Sequence, residues 1–304
     1  MYRIESANSQ STSQRVSKVW QIRHTLDVLT SASYRADRVI VNMQSTAPSP
    51  IRALSPAVHS AQRTRPEDHA SATLQAYFET LSSALGPMEW WPARSPFEVI
   101  VGAILTQNTA WMNVERAVEN LRREKLLRPR AMERVSQARL ARLVRPSGYF
   151  RQKARKLKAF VQFLRERHGG SLVRMFRAPT SELRQQLLAV HGIGPETADS
   201  ILLYAGHHPV FVVDSYTHRI LGRHGLAGGK PDYDGIQSLF ETNLPRDSAL
   251  YNEFHALLVN VGKNWCRKTQ PRCGDCPLLP YLPENSSLWP GNTTLSSRIQ
   301  ESGA

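Results

Sequence analysis

The chain has 304 residues, 41% hydrophobic and 21% charged, and its 39 Lys and Arg against 25 Asp and Glu give a formal net charge of +14. No apolar run reaches the roughly 20 residues that a membrane-spanning helix needs, so no membrane partner is expected, and the surplus of cations points to a polyanion such as nucleic acid. Three cysteines, all between positions 266 and 276, are too few for a disulfide scaffold and read as a reduced or metal-binding cluster.

Residues 1 to 70 are rich in Ser, Thr, Ala, Pro and Arg without sustained periodicity, and are expected to form a disordered extension. Inside it, RVSKVWQIRHTLDVL places Val16, Val19, Trp20 and Leu26 at helical spacing. Its Ser and Arg content is similar to an organelle transit peptide, a reading that Glu5 and Asp27 weaken, and a true start at Met43 or later is a third reading.

From 71 onward the pattern changes. LQAYFETLSSAL sets Leu74, Tyr77, Phe78 and Leu81 on one helical face, and FEVIVGAILTQ, NVERAVENLRREK, SQARLARLV and RQKARKLKAFVQFLRERH continue as helices. SELRQQLLAV, ETADSILLYAG, SYTHRILGRHG and ALYNEFHALLVNVGKNW follow, with stops at Pro146, Gly169, Gly192 and Gly225. PVFVVD at 209–214 is the one strand-like run, so the sequence predicts an all-α domain of roughly ten helices.

Between two of these helices lies HGIGP, residues 191–195. Gly192 and Gly194 leave backbone amides open to a phosphate oxygen; the plainer reading is a simple helix-to-helix turn. Asp214, eighteen positions beyond Glu196, sits where it can cap SYTHRIL, and a cap also holds a carboxylate rigidly at the edge of a cleft.

The order of helix, G-x-G hairpin, helix, apolar run and aspartate is joined by ILTQNT (104–109), RPSGYFRQKA (145–154), HGIGPETADSILLYA (191–205) and VFVVDSYTHR (210–219). Together with the closing cysteines this resembles the helix-hairpin-helix (HhH-GPD) DNA glycosylase superfamily around endonuclease III. The forms EWWP, ILTQNT and GIGPETAD are closer to the branch with bacterial 3-methyladenine DNA glycosylases. The resemblance covers 71–282 and implies two helical subdomains with a DNA-binding cleft between them, the hairpin at 191–195, a cysteine loop at 266–282 and a flexible tail at 283–304.

It also implies roles for individual residues. Asp214 assists cleavage of the N-glycosidic bond, and the amides of Gly192 and Gly194 hold a DNA phosphate. Gln107 fills the gap left by a flipped base, with Tyr149 as second wedge. Lys153, in the basic run Arg151, Lys153, Arg155, Lys156 and Lys158, would bind phosphates, although a solvated basic face explains such a run equally well. Trp90 and Trp91 would stack on the base, with His255 and Lys263 at the border of the pocket.

Two departures narrow the chemistry. Where endonuclease III carries a lysine nucleophile this chain has Glu196, and a carboxylate cannot form an imine. Cys266, Cys273 and Cys276 match three ligands of the [4Fe-4S] cluster, but the fourth position is Leu282, which leaves a cluster, another metal or an empty loop open. The expectation is a monofunctional glycosylase acting as a monomer on double-stranded DNA with a damaged base. The alternatives are a bifunctional glycosylase and lyase using Lys263 or the N-terminus, and a non-catalytic DNA-binding protein. In a bacterium it would lie in the cytoplasm with the nucleoid, with organelle targeting open.

Overall fold

The computed structural model describes residues 66–88, 91–227 and 232–290. Met1–Ala61 and Gln62–Ala304 are separate units. The expected disordered extension lies outside the described residues up to 65, with its basic helix, whereas 66–70, expected to belong to it, already form the start of a helix; the tail beyond 290 also lies outside, while 283–290 form consecutive turns.

The described residues hold twelve α-helices and no strand, in agreement with the all-α expectation. In order they are α1 (Pro66–Leu85), α2 (Pro96–Leu105), α3 (Trp111–Arg123), α4 (Pro129–Arg134), α5 (Gln137–Leu143) and α6 (Phe150–His168). Then follow α7 (Leu172–Met175), α8 (Thr180–Leu188), α9 (Pro195–Ser200), α10 (Ser215–Arg223), α11 (Tyr233–Asn243) and α12 (Ser248–Asn264). Helix α9 runs on without a break into a π-helical turn, Ile201–Ala205.

Helix starts follow local chemistry. Ser95 accepts a hydrogen bond from the Glu98 amide with Pro96 in the first turn of α2, and Ser136, Asp232 and Asp247 cap α5, α11 and α12 in the same way. Helix α2 is apolar almost all round and buried from Phe97 to Leu105, which puts it at the centre of the fold, against α3, α6 and α9 with its π turn.

Helix α1 does not pack with its neighbours in sequence. Its apolar face, Leu74, Tyr77 and Leu81, is buried, and it packs on α11 and α12. Polar links hold it there: Tyr77 Oη to His224 Nδ1 at 2.7 Å, Thr80 Oγ1 to Tyr281 Oη at 2.8 Å, and Ser71 Oγ donating to the Asn243 carbonyl at 2.9 Å. One helical subdomain is thus made from the first described helix and the last three, and the other from α2–α9.

The strand-like run at 209–214 is not a strand. It is an extended crossover, buried from Val210 to Val213, with no neighbouring strand among the described residues. Side chains of α11 satisfy its backbone instead: Glu241 accepts from the Phe211 amide (2.8 Å), Gln237 donates to the Phe211 carbonyl (2.7 Å), and Tyr233 Oη meets the Val213 amide (3.4 Å). Helix α11, which lacks a strong apolar stripe in the sequence, therefore acts as a polar partner for this segment. The four-residue α7 and six-residue α4 were too short for periodicity to reveal.

Gln237 also donates to Asp199 Oδ2 (2.8 Å), a buried carboxylate paired with Arg184 and Tyr233. Gln237→Leu removes both donated bonds, and urea denaturation is expected to show a loss of about 1–3 kcal/mol.

Candidate active site

The hairpin between α8 and α9 is formed as its glycines require. Gly192 has φ +81°, and a side chain there would also collide with Lys156, whose stem lies across the turn. Gly194 is extended and caps α9, with open space where a side chain would sit. Its free surface and the first amides of α9 are where an anion can approach closely.

Asp214 closes the buried crossover and opens α10. Its Oδ1 accepts from the Tyr216 amide (2.9 Å), the Thr217 amide (2.8 Å) and Thr217 Oγ1 (3.0 Å). Its Oδ2 takes no part in the cap and lies 3.7 Å from Nε2 of the buried His255. Burial holds that imidazole below its ordinary range, with the charge of Asp214 acting in the opposite direction. One oxygen therefore builds the helix and the other is turned toward His255.

Glu196, in the first turn of α9, stands close enough to Asp214 for their charges to interact. Its edge is open to solvent, yet protein encloses it on most sides, and that enclosure, followed by repulsion from Asp214, raises its carboxyl to about 7. A carboxyl whose proton affinity is raised to near neutrality is a recurrent feature of acid–base sites.

A chain of aromatic contacts leads away from Asp214 through His255. Tyr204, in the π turn, stacks on Trp91 (centroids 5.1 Å, 26°), and its hydroxyl bonds to Nδ1 of His255 (2.5 Å). Trp91 itself has a left-handed backbone, φ 65°, and packs so closely on α2 that a methyl at Gly102 would lie 3.2 Å from its ring. Trp111 meets Trp91 edge to face at 5.3 Å. The two indoles, with Glu98, Glu115 and Arg122, line a cavity of about 290 Å³. Trp111 Nε1 donates to Glu115 at 2.9 Å, and Glu98 pairs with Arg122.

A family model described as the HhH-GPD superfamily base excision DNA repair protein matches residues 101–246. A candidate DNA repair glycosylase of Methanocaldococcus jannaschii is 45% identical over 205 residues, 67% of this chain and 93% of the relative. The chain belongs to the HhH-GPD superfamily. An endonuclease III of Thermotoga maritima is 29% identical over 181 residues, 60% of this chain and 79% of that protein. Among solved structures, H. pylori 3-methyladenine DNA glycosylase bound to 1,N6-ethenoadenine aligns at 30% identity with a TM-score of 0.56, over 64% of this chain and 97% of that one. A non-covalent endonuclease III–DNA complex aligns at 21% identity with a TM-score of 0.61, over 70% and 95%, and shares the fold.

Within this HhH-GPD fold the remaining expected residues fall in different places. Gln107 lies beside the hairpin: its Nε2 donates to the Gly192 carbonyl (3.1 Å) and Thr197 Oγ1 (2.9 Å), and Lys156 Nζ donates to its Oε1. Tyr149 is 67% exposed, on a left-handed backbone at φ 43°. Lys263 is exposed in the last turn of α12, two turns beyond His255. Trp90 lies outside the described residues.

The basic run corrects the expectation of a phosphate-binding Lys153. Arg151 and Arg155 are exposed, but Lys153 is 2% exposed, and its Nζ donates to the carbonyls of Leu105 (2.8 Å) and Ser147 (2.6 Å). Lys158 closes the end of α4 through the carbonyls of Met132 (3.0 Å) and Glu133 (2.6 Å). Helical periodicity explains the difference: Lys153 shares its face with the buried Leu157 and Phe160.

The cysteines do come together, at the end of α10 opposite Asp214. Cys266, Cys273, Cys276 and Leu282 line one pocket, with Arg223 Nη1 donating to Cys266 Sγ (3.2 Å) and to the Arg267 carbonyl (2.7 Å). Leu282 is buried and offers no donor atom, and among the described residues no three His, Cys, Asp or Glu side chains are arranged to hold a metal ion. This donor set falls one thiolate short of the usual [4Fe-4S] ligands and does not fit the cluster as endonuclease III would hold it.

Sequence reasoning missed Trp111, Tyr204, Glu98 and Glu115. Tyr204 lies in the apolar run after the hairpin and reads there as core; it is the π turn, visible only in the structure, that accompanies its stacking on Trp91.

Two measurements check the geometry. Asp214→Asn keeps an acceptor for the cap and is expected to unfold within about 0.5 kcal/mol of wild type, whereas Asp214→Ala loses about 1 kcal/mol, both by thermal melting. Gly194→Ala is expected to leave the melting temperature unchanged while weakening DNA binding several-fold in fluorescence anisotropy. Gly192→Ala, strained by its φ and by Lys156, is expected to lower the melting temperature as well.

Proposed function

We propose that the chain is a monofunctional DNA glycosylase that hydrolyses the N-glycosidic bond of a damaged base flipped out of duplex DNA, with a cationic alkylated purine as its substrate class. The observation that carries the proposal is Glu196 within electrostatic reach of Asp214, whose Oδ2 stays outside the helix cap: the position for an amine nucleophile holds a carboxylate. The likeness to a 3-methyladenine glycosylase at 30% identity supports the substrate class, as does a cavity walled by the two indoles of Trp91 and Trp111, whose ring faces favour a flat cation.

In this reading one chain docks on double-stranded DNA through the hairpin amides of Gly192 and Gly194 and through exposed cations such as Arg151 and Arg155. Gln107 leaves the hairpin and enters the duplex with Tyr149. The base stacks with Trp91, Trp111 and Trp90, and Lys263 borders the pocket. Asp214 Oδ2 stabilises positive charge developing at C1′ while His255 holds its orientation. Glu196, once ionised, takes a proton from the attacking water. The departing cationic purine leaves as a neutral base and needs little acid assistance. No step is assigned to an iron–sulfur cluster: the thiol pocket lies at the far end of α10, about 13 Å away along a nine-residue helix.

A panel of duplexes, each with one lesion, tests this directly. Excision of 3-methyladenine or a similar alkylated purine is expected, with strand breaks only after alkali, and with the rate lowered about 10²–10³-fold in Asp214→Asn. Borohydride trapping of a covalent adduct with abasic DNA would instead establish lyase chemistry by another amine. Because Glu196 is protonated below about 7 and ionised above it, the rate is expected to rise about tenfold from pH 6 to pH 8, and Glu196→Gln to flatten that limb. A flat wild-type profile would remove Glu196 from the proton transfer.

A further inference from the structure

Lys153 poses an energetic problem that the proposed reaction leaves unsolved. Its ammonium group is almost fully buried and donates to two backbone carbonyls, Leu105 at 2.8 Å and Ser147 at 2.6 Å. Burying a cation costs several kcal/mol unless it is well compensated, and an apolar residue of similar length commonly serves a core at least as well. Desolvation, and after it the neighbouring charge of Lys156, lowers the amine to about 8. The lysine is thus held at some cost, and its two contacts show where that cost is applied.

Leu105 is the last residue of α2, and Gln107 follows two positions later. Ser147 ends the 3-10 turn Arg145–Ser147, and Tyr149 again follows two positions later. Both segments then bend through left-handed residues, Asn108 at φ 52° in one and Gly148 and Tyr149 at φ 66° and 43° in the other. The two loops are distant in sequence, and this ammonium ties the carbonyl at the base of each to a single point on α6. Lys156, one turn further along α6, reaches the Gln107 side chain itself. The bland alternative, that Lys153 only satisfies carbonyls at helix ends, accounts for each contact singly; what it leaves unexplained is one buried ammonium shared by the roots of two loops distant in sequence.

We infer that Lys153 is a positioning residue that fixes the spacing of the two duplex-invading loops, so that Gln107 and Tyr149 enter DNA as one unit when the damaged base is extruded. The inference rests on the wedge roles proposed above for Gln107 and Tyr149. Its consequence is selective: excision from duplex DNA needs the clamp, whereas excision from a single strand, where no gap has to be filled, does not.

The test compares excision of one alkylated purine from duplex and from single-stranded DNA, using the full chain. Lys153→Met, which keeps length and packing but removes the donors, is expected to lose tenfold or more on duplex DNA and less than twofold on the single strand. Equal losses on both substrates, or an unchanged duplex rate, would overturn the clamp. Gln107→Ala and Tyr149→Ala form the control arm. If neither changes the duplex-to-single-strand ratio, the wedge reading fails; if they change it and Lys153→Met does not, only the clamp fails. Hydrogen exchange on the wild-type protein gives a variant-free check, because the clamp requires 106–109 and 148–152 to open together. Independent opening of the two loops would reject it even if Lys153→Met did not fold.

Discussion

The division of labour within the Asp214 carboxylate is the constraint on which the rest of the site depends. Oδ1 is committed to three donors at the start of α10, which fixes the side chain, and Oδ2 is thereby directed away from the helix. The capping reading and the catalytic reading of this residue are therefore not rivals. For the cap to point into the cleft, the crossover before it must arrive at one angle. A buried extended segment can do so only because Glu241, Gln237 and Tyr233 take the place of a neighbouring strand.

Much of the positive charge works inside the fold. Lys153 and Lys158 close helix ends and loops through carbonyl oxygens, Arg184 holds the buried Asp199, and Arg219 and Arg223 tie α10 to the cysteine loop through the carbonyls of Cys266 and Arg267. Backbone carbonyls left over at the ends of many short helices need donors, and long cationic side chains can bring them from a distance. The formal charge of +14 consequently overstates the cationic surface of the described residues, and the hairpin exposes uncharged amides that an anion can approach.

Glu196 gains its meaning from the same geometry. A carboxylate at the start of a helix is ordinarily favoured by the helix dipole, yet enclosure and the nearby Asp214 raise it to about 7. A group poised there can exchange a proton near neutral pH, which an amine nucleophile would do by a different route. The cysteine loop carries a comparable substitution, Leu282 for a thiolate, but at the other end of α10, so the two departures from endonuclease III are structurally independent.

The sequence by itself determined the all-α class, most helix positions and the hairpin, and it marked Asp214, Glu196 and Trp91 as candidates for the site. Those depend on local rules: periodicity, glycine conformation, capping and motif spacing. It could not show that 209–214 stays extended without a partner strand, since a short apolar run is compatible with strand, helix or buried crossover until its hydrogen-bond partners are known. Nor could it separate the lysines of α6, because charge counts ignore which face of a helix meets the core. Tertiary structure decided that Lys153 turns inward and Arg151 outward, that α1 packs with the last three helices, and that a π turn brings Tyr204 to Trp91. Each of these is set by contacts between segments far apart in the chain, where burial and the need to satisfy every buried polar atom outweigh local preference.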